Sequence, residues 1–579
     1  MTNLLFYFTI GLLIAIVVIS SITLINKRNQ SHSPSPPSPS PGPSPPSPSQ
    51  SESDKWYNIF QISTNEDINY GYANNIKKYN ISKYKDFYNK LTKQFATALW
   101  IDKTEHISRL SDAIKWMDNN NKTKIIIIIY NLPNRDCHAT ASNGHLCCVS
   151  GAEEPNWCDP ELQLDFKKNP RTSCYGLENK KPNGKQTNNY KTYIDKINEI
   201  IYKNSHIEFT CIIEPDSLNN VITNSSMNSQ NSAQGNCSIN TAILSILPGI
   251  HYAIHTLSNN TNAKLYLEVG HPLWLGWDLG LNDPGKGILN SLLGGNQSVQ
   301  SDVYDKYGTS TNAKINNLLS EPFQYDTRSW IKKLNGFTIN VSNYIPLGGS
   351  DNFDTPFDSS IETNGSPMIP SSKPITPCNG YKIYNPITNL RNYAALLKYI
   401  FGNKFEKDFE VLIDTGRNGN MAKQYTVNQS NYGIEQPCAS WCNIFGEYGP
   451  TIGETTFKSS GEFNIPDDQK YVKYMCLKPP GESDGCVNPS KRINTPSGQD
   501  SAGKAGNLQC NNVNSFNTSC NRFDTMCGIQ GTRGYNTNSK LNFINAGDFR
   551  KNLAICPPDA GVWDPIQIQQ MADNYTKEI

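Results

Sequence analysis

Charge is scarce in this chain: of 579 residues only 18% are Asp, Glu, Lys or Arg, and 52 basic against 51 acidic residues leave a net charge of +1. A surface without excess positive charge has no general attraction for phosphate backbones, so nucleic acid is excluded as a default partner. Zinc-type cysteine spacing is also missing. Cys147 and Cys148 are adjacent and Cys438 to Cys442 spans four, so the sixteen cysteines do not supply two close Cys-x-x-Cys pairs and read instead as disulfide formers in an oxidising compartment. His251-Tyr-Ala-Ile-His255 has the i, i+4 spacing of a metal-binding helix face. It lacks a third ligand and the general-base Glu of a metalloprotease, so neither metal nor cofactor is implied.

What is present is polar without being charged. Aromatics reach 10%, with 29 Tyr, 21 Phe and 9 Trp, and the folded surface must be covered largely by Asn, Ser, Thr, Gly and Tyr. Such a surface suits uncharged polar ligands such as sugars; a compositional bias toward Asn, Ile, Lys and Tyr accounts for it equally well. Sequons at Asn80, Asn121, Asn296 and Asn428 agree with a luminal or extracellular location, although an Asn-rich chain produces some by chance. The length is about four times the roughly 150 residues of one domain, which excludes a small disulfide scaffold and leaves several domains or one large domain with long insertions.

Composition divides the chain into three parts. Residues 1–30 contain the uncharged apolar run Leu4 to Ile25, which at 1.5 Å per residue spans about 33 Å and can cross a bilayer core. No Lys or Arg precedes it and it exceeds the usual apolar core of a signal peptide, so an uncleaved transmembrane anchor is expected, with a secreted, cleaved form as the alternative. Lys27 and Arg28 after the run would favour a cytosolic position for the remainder of the chain; the cysteines outweigh two charges, and the expected location is the outer side of a cell or virion membrane. Residues 31–54 are a Pro/Ser-rich linker, extended as polyproline II. Residues 55–579 form the folded domain.

That domain carries seven short apolar runs: Ala96 to Ile101, Lys124 to Tyr130, Glu208 to Glu214, Leu265 to Val269, Gly336 to Asn340, Phe409 to Asp414 and Tyr471 to Lys478. Helical stretches such as Tyr190 to Tyr202 and Thr388 to Phe401 lie between them. Continuous apolar strands interleaved with helices indicate an α/β fold with a parallel sheet buried on both faces, and seven such units suggest a barrel. Each run ends on chemistry: Asp102, Tyr130 and Asp136, Asp216, Glu268 and His271, Asn340 and Tyr344, Asp414 and Arg417, Glu482 and Asp484. Parallel strands gather their C-terminal ends on one rim, so these residues converge on one cleft. A single Asp after a strand is more often a cap or turn former; the recurrence is what points to a site. Paired carboxylates with aromatics and no evident nucleophile fit glycoside hydrolysis, one carboxyl giving a proton to the leaving oxygen and another taking one from water.

The segments YNLPNRDCHATASNG (130–144), IIEPDSLNNVITN (212–224), YLEVGHPLWLGW (266–277), INVSNY (339–344), IDTGRNG (413–419), SWCNIFG (440–446), LKPPGESDG (477–485) and RFDTMC (522–527) resemble, in order, the motifs of glycoside hydrolase family 6, from about Phe95 to Trp563. The resemblance implies a distorted seven-stranded β/α barrel of TIM-like type and an inverting β-1,4-glucanase acting on cellulose or cello-oligosaccharides. It assigns Asp216 as proton donor and Asp136 as the aspartate that keeps the donor protonated. Tyr130 is the tyrosine that crowds the sugar at the cleavage point, Ser142 the loop serine that organises water, and Asp484 the candidate base. Lys478 and Glu482 then bind glucose hydroxyls, and Trp100, Trp274 and Trp441 stack on sugar rings; Trp277, Asp102, His271 and Asn340 complete the expected cleft lining. Core packing competes for Trp274, because Trp277 is three residues away. The chain departs from the family's Asp at Glu268, Asn131 and Asn134. The resemblance pairs Cys137 with Cys237 and Cys442 with Cys527; closing loops of about 100 and 85 residues would restrict the unfolded chain by roughly 4–5 kcal/mol each. Cys211, inside a strand, reads as a free core thiol. The other cysteines cluster in insertions 145–189, 346–381 and 486–520, expected to be disulfide-braced loops. An exo-acting, monomeric cellobiohydrolase is favoured over an endoglucanase, because long loops roof the cleft in this family. A glucan-binding protein without turnover is the rival of another class.

Overall fold

The computed structural model describes residues 50–62, 71–133, 135, 146, 190–224, 239–275, 330–341, 345, 347, 362–363, 366–367, 389–419, 450–466, 469–483 and 561–578. Met1–Gln50 and Ser51–Ile579 are separate compact units. All of the first except Gln50 lies outside the described residues, and with it the expected anchor and most of the linker. Among the described residues no helix is long and apolar enough to cross a membrane.

All seven apolar runs are strands: β1 (Ala98–Ile101), β2 (Lys124–Ile129), β3 (Glu208–Ile213), β4 (Ala263–Glu268), β5 (Gly336–Ile339), β6 (Glu410–Asp414) and β7 (Val472–Met475). They pair in chain order and every pairing is parallel. β7 returns to β1 through the single bridge Thr97 to Cys476, with hydrogen bonds Ala98 N to Cys476 O and Cys476 N to Ala96 O, both 3.1 Å. β7 and β1 thus meet through a seam far narrower than the other pairings, leaving a parallel seven-stranded half-barrel. Gly336 allows β5 to approach β6; a Cβ there would lie 1.8 Å from the carbonyl oxygen of Glu410.

Alternation along the strands feeds two cores. Leu99, Ile101, Ile125, Ile127, Ile129, Phe209, Cys211 and Ile213 face an outer layer shared with the helices. Ala98, Trp100, Ile126, Ile128, Tyr130, Ile212, Tyr266, Leu412 and Met475 fill the interior. Because both faces are apolar, Ile125 to Ile129 are all fully buried, and each such side chain stabilises by about 1.5–3 kcal/mol relative to exposure. Trp56, Phe457 and Phe463 cluster with ring centroids 5.3–6.4 Å apart and join the interior core.

The connecting helices are α1 (Lys85–Lys93), α2 (Ile107–Asn119), α3 (Tyr190–Lys203), α4 (Ser217–Asn224), α5 (Ile239–Leu257) and α6 (Leu390–Phe405), followed by the C-terminal α7 (Pro565–Glu578). The predicted helices at 190 and 388 correspond to α3 and α6. α6 begins two residues late because the Asn389 side chain caps it, accepting from Asn392 N at 2.8 Å. It stops where Glu406 turns left-handed at φ 52°. Cys211 is a free, buried thiol as expected, and so is Cys476.

Candidate active site

Parallel pairing places every strand's C-terminal end on one rim. Three of those ends carry buried carboxylates bonded to the backbone of a neighbouring loop. Glu214, just past β3, accepts from Asn131 N at 3.1 Å through Oε1 and from Leu132 N at 3.3 Å through Oε2. Glu268, the last residue of β4, accepts from Asp216 N at 2.9 Å and Asn219 Nδ2 at 3.0 Å through Oε2, and from Gly270 N at 2.8 Å through Oε1. Asp414 at the end of β6 accepts from Gly416 N and Leu477 N, each at 3.0 Å, and from Lys478 N at 3.1 Å. These bonds explain why β7 stops short of the predicted Lys478, since the Leu477 and Lys478 amides donate to Asp414; at the end of β2 the Tyr130 amide still reaches Ile101 O at 3.2 Å, and the chain leaves the sheet where the Asn131 and Leu132 amides turn to Glu214.

The acid candidate sits between two of these carboxylates, Glu214 and Glu268. Glu214 and Asp216, on either side of Pro215, have φ of 48° and 63°, and Asn340 at the end of β5 has φ of 69°. Left-handed backbone at non-glycine residues costs on the order of 1–3 kcal/mol each and persists only where the surroundings over-determine it. Glu214 and Glu268 are fully buried, whereas Asp216 is only partly buried. Glu268, where the resemblance expects Asp, thus supplies a side chain that grips the backbone amide of Asp216.

On the β1–β2 side, the Trp100 and Tyr130 rings meet edge to face at 5.4 Å and 86°. The Arg135 guanidinium lies 3.7 Å from the Tyr130 ring centroid. Its Nη1 donates to the Tyr130 carbonyl and, at 3.2 Å, to that of Asp102. Asp102 pairs with His106. On the β7 side, Lys478 Nζ and Glu482 Oε1 form a buried ion pair at 2.7 Å, with side-chain exposures of 7% and 6%. Lys478 Nζ also lies 4.6 Å from the Trp100 ring centroid, Trp100 Nε1 donates to Leu477 O at 2.7 Å, and Tyr72 OH donates to Glu482 Oε2 at 3.0 Å. The 561–564 segment braces this loop: Asp564 N donates to Gly481 O at 2.7 Å, and Trp563 meets the Tyr72 ring at 5.0 Å.

Trp100, Asp102, Tyr130, Asp216, His271, Asn340, Lys478 and Glu482 therefore all occupy strand ends or the loops directly after them. Asn340 is fully buried; its amide donates to Asp414 O at 2.8 Å and its Oδ1 accepts from Ile345 N at 3.1 Å. Trp274 lies in the short helix Pro272–Leu275, and its side chain is outside the described set. Asp136, Ser142, Trp277, Trp441, Asp484 and Cys137, Cys237, Cys442 and Cys527 fall outside the described residues, as do Asn134 and nearly all of the three insertions. The positional roles of Glu214 and Asp414 were not anticipated; the only signal was a carboxylate directly after an apolar run. His251 packs on Trp330 at 4.5 Å and His255 Nδ1 lies 3.5 Å from Lys333 Nζ. Among the described residues no group of three or more His, Cys, Asp or Glu is arranged to hold a metal ion.

Burial pushes the Glu214 carboxyl up to about 7 and the Asp414 carboxyl up to about 6, and pushes His271 down to about 3, so His271 is neutral at ordinary pH. Burial also opposes ionisation of Asp102, but His106 and Arg135 outweigh it and hold that carboxyl well below the ordinary range. The signs set a stability window. Glu214 and Asp414 bind protons more tightly folded than unfolded, so the stability tied to them is fully present below about pH 4 and is lost as pH rises through 6 and 7. The Asp102 contribution runs the other way, present above about pH 4 and lost below it. His271 and His251, pushed down by burial to about 3 and about 4, oppose the two carboxyls: their contribution is fully present above about pH 6.5 and is lost as pH falls toward 4 and 3. The two sets offset each other, so the urea midpoint is expected to change little between about pH 5 and about pH 7.5; a marked drop at either end would count against these burial shifts.

A family model described as glycosyl hydrolases family 6 matches residues 59–160 and 173–516, more than half of the chain. The chain belongs to glycosyl hydrolases family 6. Family 6 relatives include the 1,4-beta-D-glucan cellobiohydrolase C of Emericella nidulans, 25% identical over 364 residues, covering 63% of this chain and 53% of that protein. The 1,4-beta-D-glucan cellobiohydrolase CEL6C of Podospora anserina is 25% identical over 399 residues, covering 68% of each. A putative endoglucanase type B of Fusarium oxysporum is 25% identical, covering 68% of this chain and 59% of its own. The aligned region thus spans a little over half the length of the first of these relatives. Among solved structures, the CcCel6A catalytic domain complexed with p-nitrophenyl beta-D-cellotrioside aligns at 18% identity and a TM-score of 0.49, covering 91% of this chain and 98% of that one.

Proposed function

We propose that this family 6 protein hydrolyses β-1,4-glucosidic bonds in cellulose or cello-oligosaccharides with inversion, releasing cellobiose from chain ends. The observation that carries the proposal is the Asp216 turn: a partly buried aspartate on a rim of buried carboxylates, in left-handed backbone whose amide is bonded to Glu268. A group held this rigidly suits a positioned proton donor. In this reading Asp216 protonates the leaving oxygen, with Asp136 maintaining its proton and Ser142 and Asp484 handling the attacking water. Tyr130 crowds the reacting ring, and Trp100, Trp274, Trp277 and Trp441, with Asp102, His271, Lys478 and Glu482, bind the glucan; Asn340, buried with both amide atoms engaged within the protein, holds β5 to β6 instead. The cellobiohydrolase names of two relatives support the exo mode, and the endoglucanase name of a third leaves the endo mode as the alternative. We further propose that the protein is monomeric and held at an outer membrane face by Leu4 to Ile25.

Cellohexaose incubated with the purified full chain tests the reading. Cellobiose and cellotetraose are expected as first products, with the new reducing end appearing by proton NMR as the α-anomer, since water attacks opposite the leaving group. Tight binding without shorter products would establish a non-catalytic glucan-binding protein, and an even spread of product lengths would establish internal cutting.

A further inference from the structure

Glu214 belongs to no role assigned above, although it sits two residues from the acid. Its backbone and side chain hold the same partner. Glu214 N donates to Ile129 O at 2.8 Å, and its carboxylate accepts from Asn131 N and Leu132 N at 3.1 and 3.3 Å. These three contacts bracket Tyr130, the residue placed against the reacting sugar. The other end of the same turn, Asp216 N, is bonded to Glu268. Tyr190 and Arg135 border the carboxyl, which is fully buried and does not face solvent. Two carboxylate oxygens matched to two consecutive amides over-determine the left-handed backbone at 214, and that backbone aims residue 216.

We infer that Glu214 is a positioning residue that fixes the distance between the Asp216 turn and the Tyr130 segment, so that acid and sugar-crowding group move as one unit. The inference rests on reading Asp216 as the acid. Replacing the carboxylate by an amide leaves the shape but turns an NH2 toward one of the two backbone donors, and the turn is released from the segment after β2. Displacement on the order of 1 Å between reacting groups lowers turnover about 100-fold.

Glu214→Gln in the full chain tests this, read as kcat and KM on cellohexaose and on an aryl cellotrioside with a good leaving group. The expected result is a kcat about 100-fold lower on cellohexaose, a smaller loss of about 10-fold on the aryl substrate, and KM within about threefold on both. The unequal losses separate misplacement of the acid from a general loss of folded enzyme, which would lower both rates alike. Equal losses, a rise in KM with kcat kept, or wild-type rates would each overturn the inference. If the Gln variant does not fold, Glu214→Asp is judged by the same criteria, because its shorter arm reaches only one of the two amides. Asp216→Asn assayed in parallel keeps the two ideas apart. A dead Asp216→Asn beside an unaffected Glu214 variant sinks only the positioning role, and an active Asp216→Asn sinks the acid assignment itself.

Discussion

Asp216→Asn is expected to lower kcat on cello-oligosaccharides by roughly 10²–10⁴-fold, the usual contribution of a positioned general acid. That corresponds to about 3–5 kcal/mol of transition-state stabilisation. The asparagine is nearly isosteric and keeps the backbone amide that Glu268 holds at 2.9 Å, so the turn should retain its shape and the loss should be chemical. Two controls make the result specific. An aryl glycoside with a good leaving group needs little protonation and should lose far less, and the thermal midpoint should stay within a degree or two of wild type, because Asp216 is partly exposed at the rim. Wild-type turnover on the unactivated substrate would show that another group donates the proton. Asp136→Asn should instead slow both substrates, since the role proposed for it serves the charge developing on the sugar as well as the acid.

The fold was legible because its strands are buried twice over. Ile125 to Ile129 could not alternate with polar residues when one set fills the barrel and the other meets the helices, so the run appeared unbroken in the sequence. The rim was legible for the same reason: a polar residue ending such a run marks the point where the chain leaves the core. What could not be read was the division of labour among the rim carboxylates. Glu214, Glu268 and Asp414 differ from Asp216 in what they touch, and their partners lie 52 to 83 positions away for the contacts Asp216–Glu268, Leu477–Asp414 and Asn131–Glu214. No local periodicity encodes such a contact. Asn340 shows the same blindness: as a polar strand end it suggested a ligand, while its amide joins β5 to β6 through Asp414 O. The closing seam between Thr97 and Cys476, and the bracing of the Lys478–Glu482 loop by residues 561–564, likewise depend on tertiary meetings between the two ends of the domain.

That braced loop gives the largest stability effect expected. Lys478→Met removes the ammonium from a pair whose side chains are 7% and 6% exposed, leaving Glu482 with the Tyr72 hydroxyl at 3.0 Å and no cation at 2.7 Å. Breaking a buried pair from one side typically costs about 3–5 kcal/mol, more than the pair itself contributes, because the remaining charge stays desolvated. The contact over the Trp100 ring at 4.6 Å is lost as well, a further ~0.5–2 kcal/mol. The urea midpoint should fall with little change in slope. Adding Glu482→Leu removes the stranded carboxylate, so the double variant should recover most of the lost stability. Turnover separates structure from recognition at this point. If both side chains also bind glucose hydroxyls as proposed, the refolded double variant will keep a raised KM for cellohexaose despite its restored midpoint. Recovery of KM together with stability would mean that the pair only holds the loop, and that the glucan is gripped elsewhere.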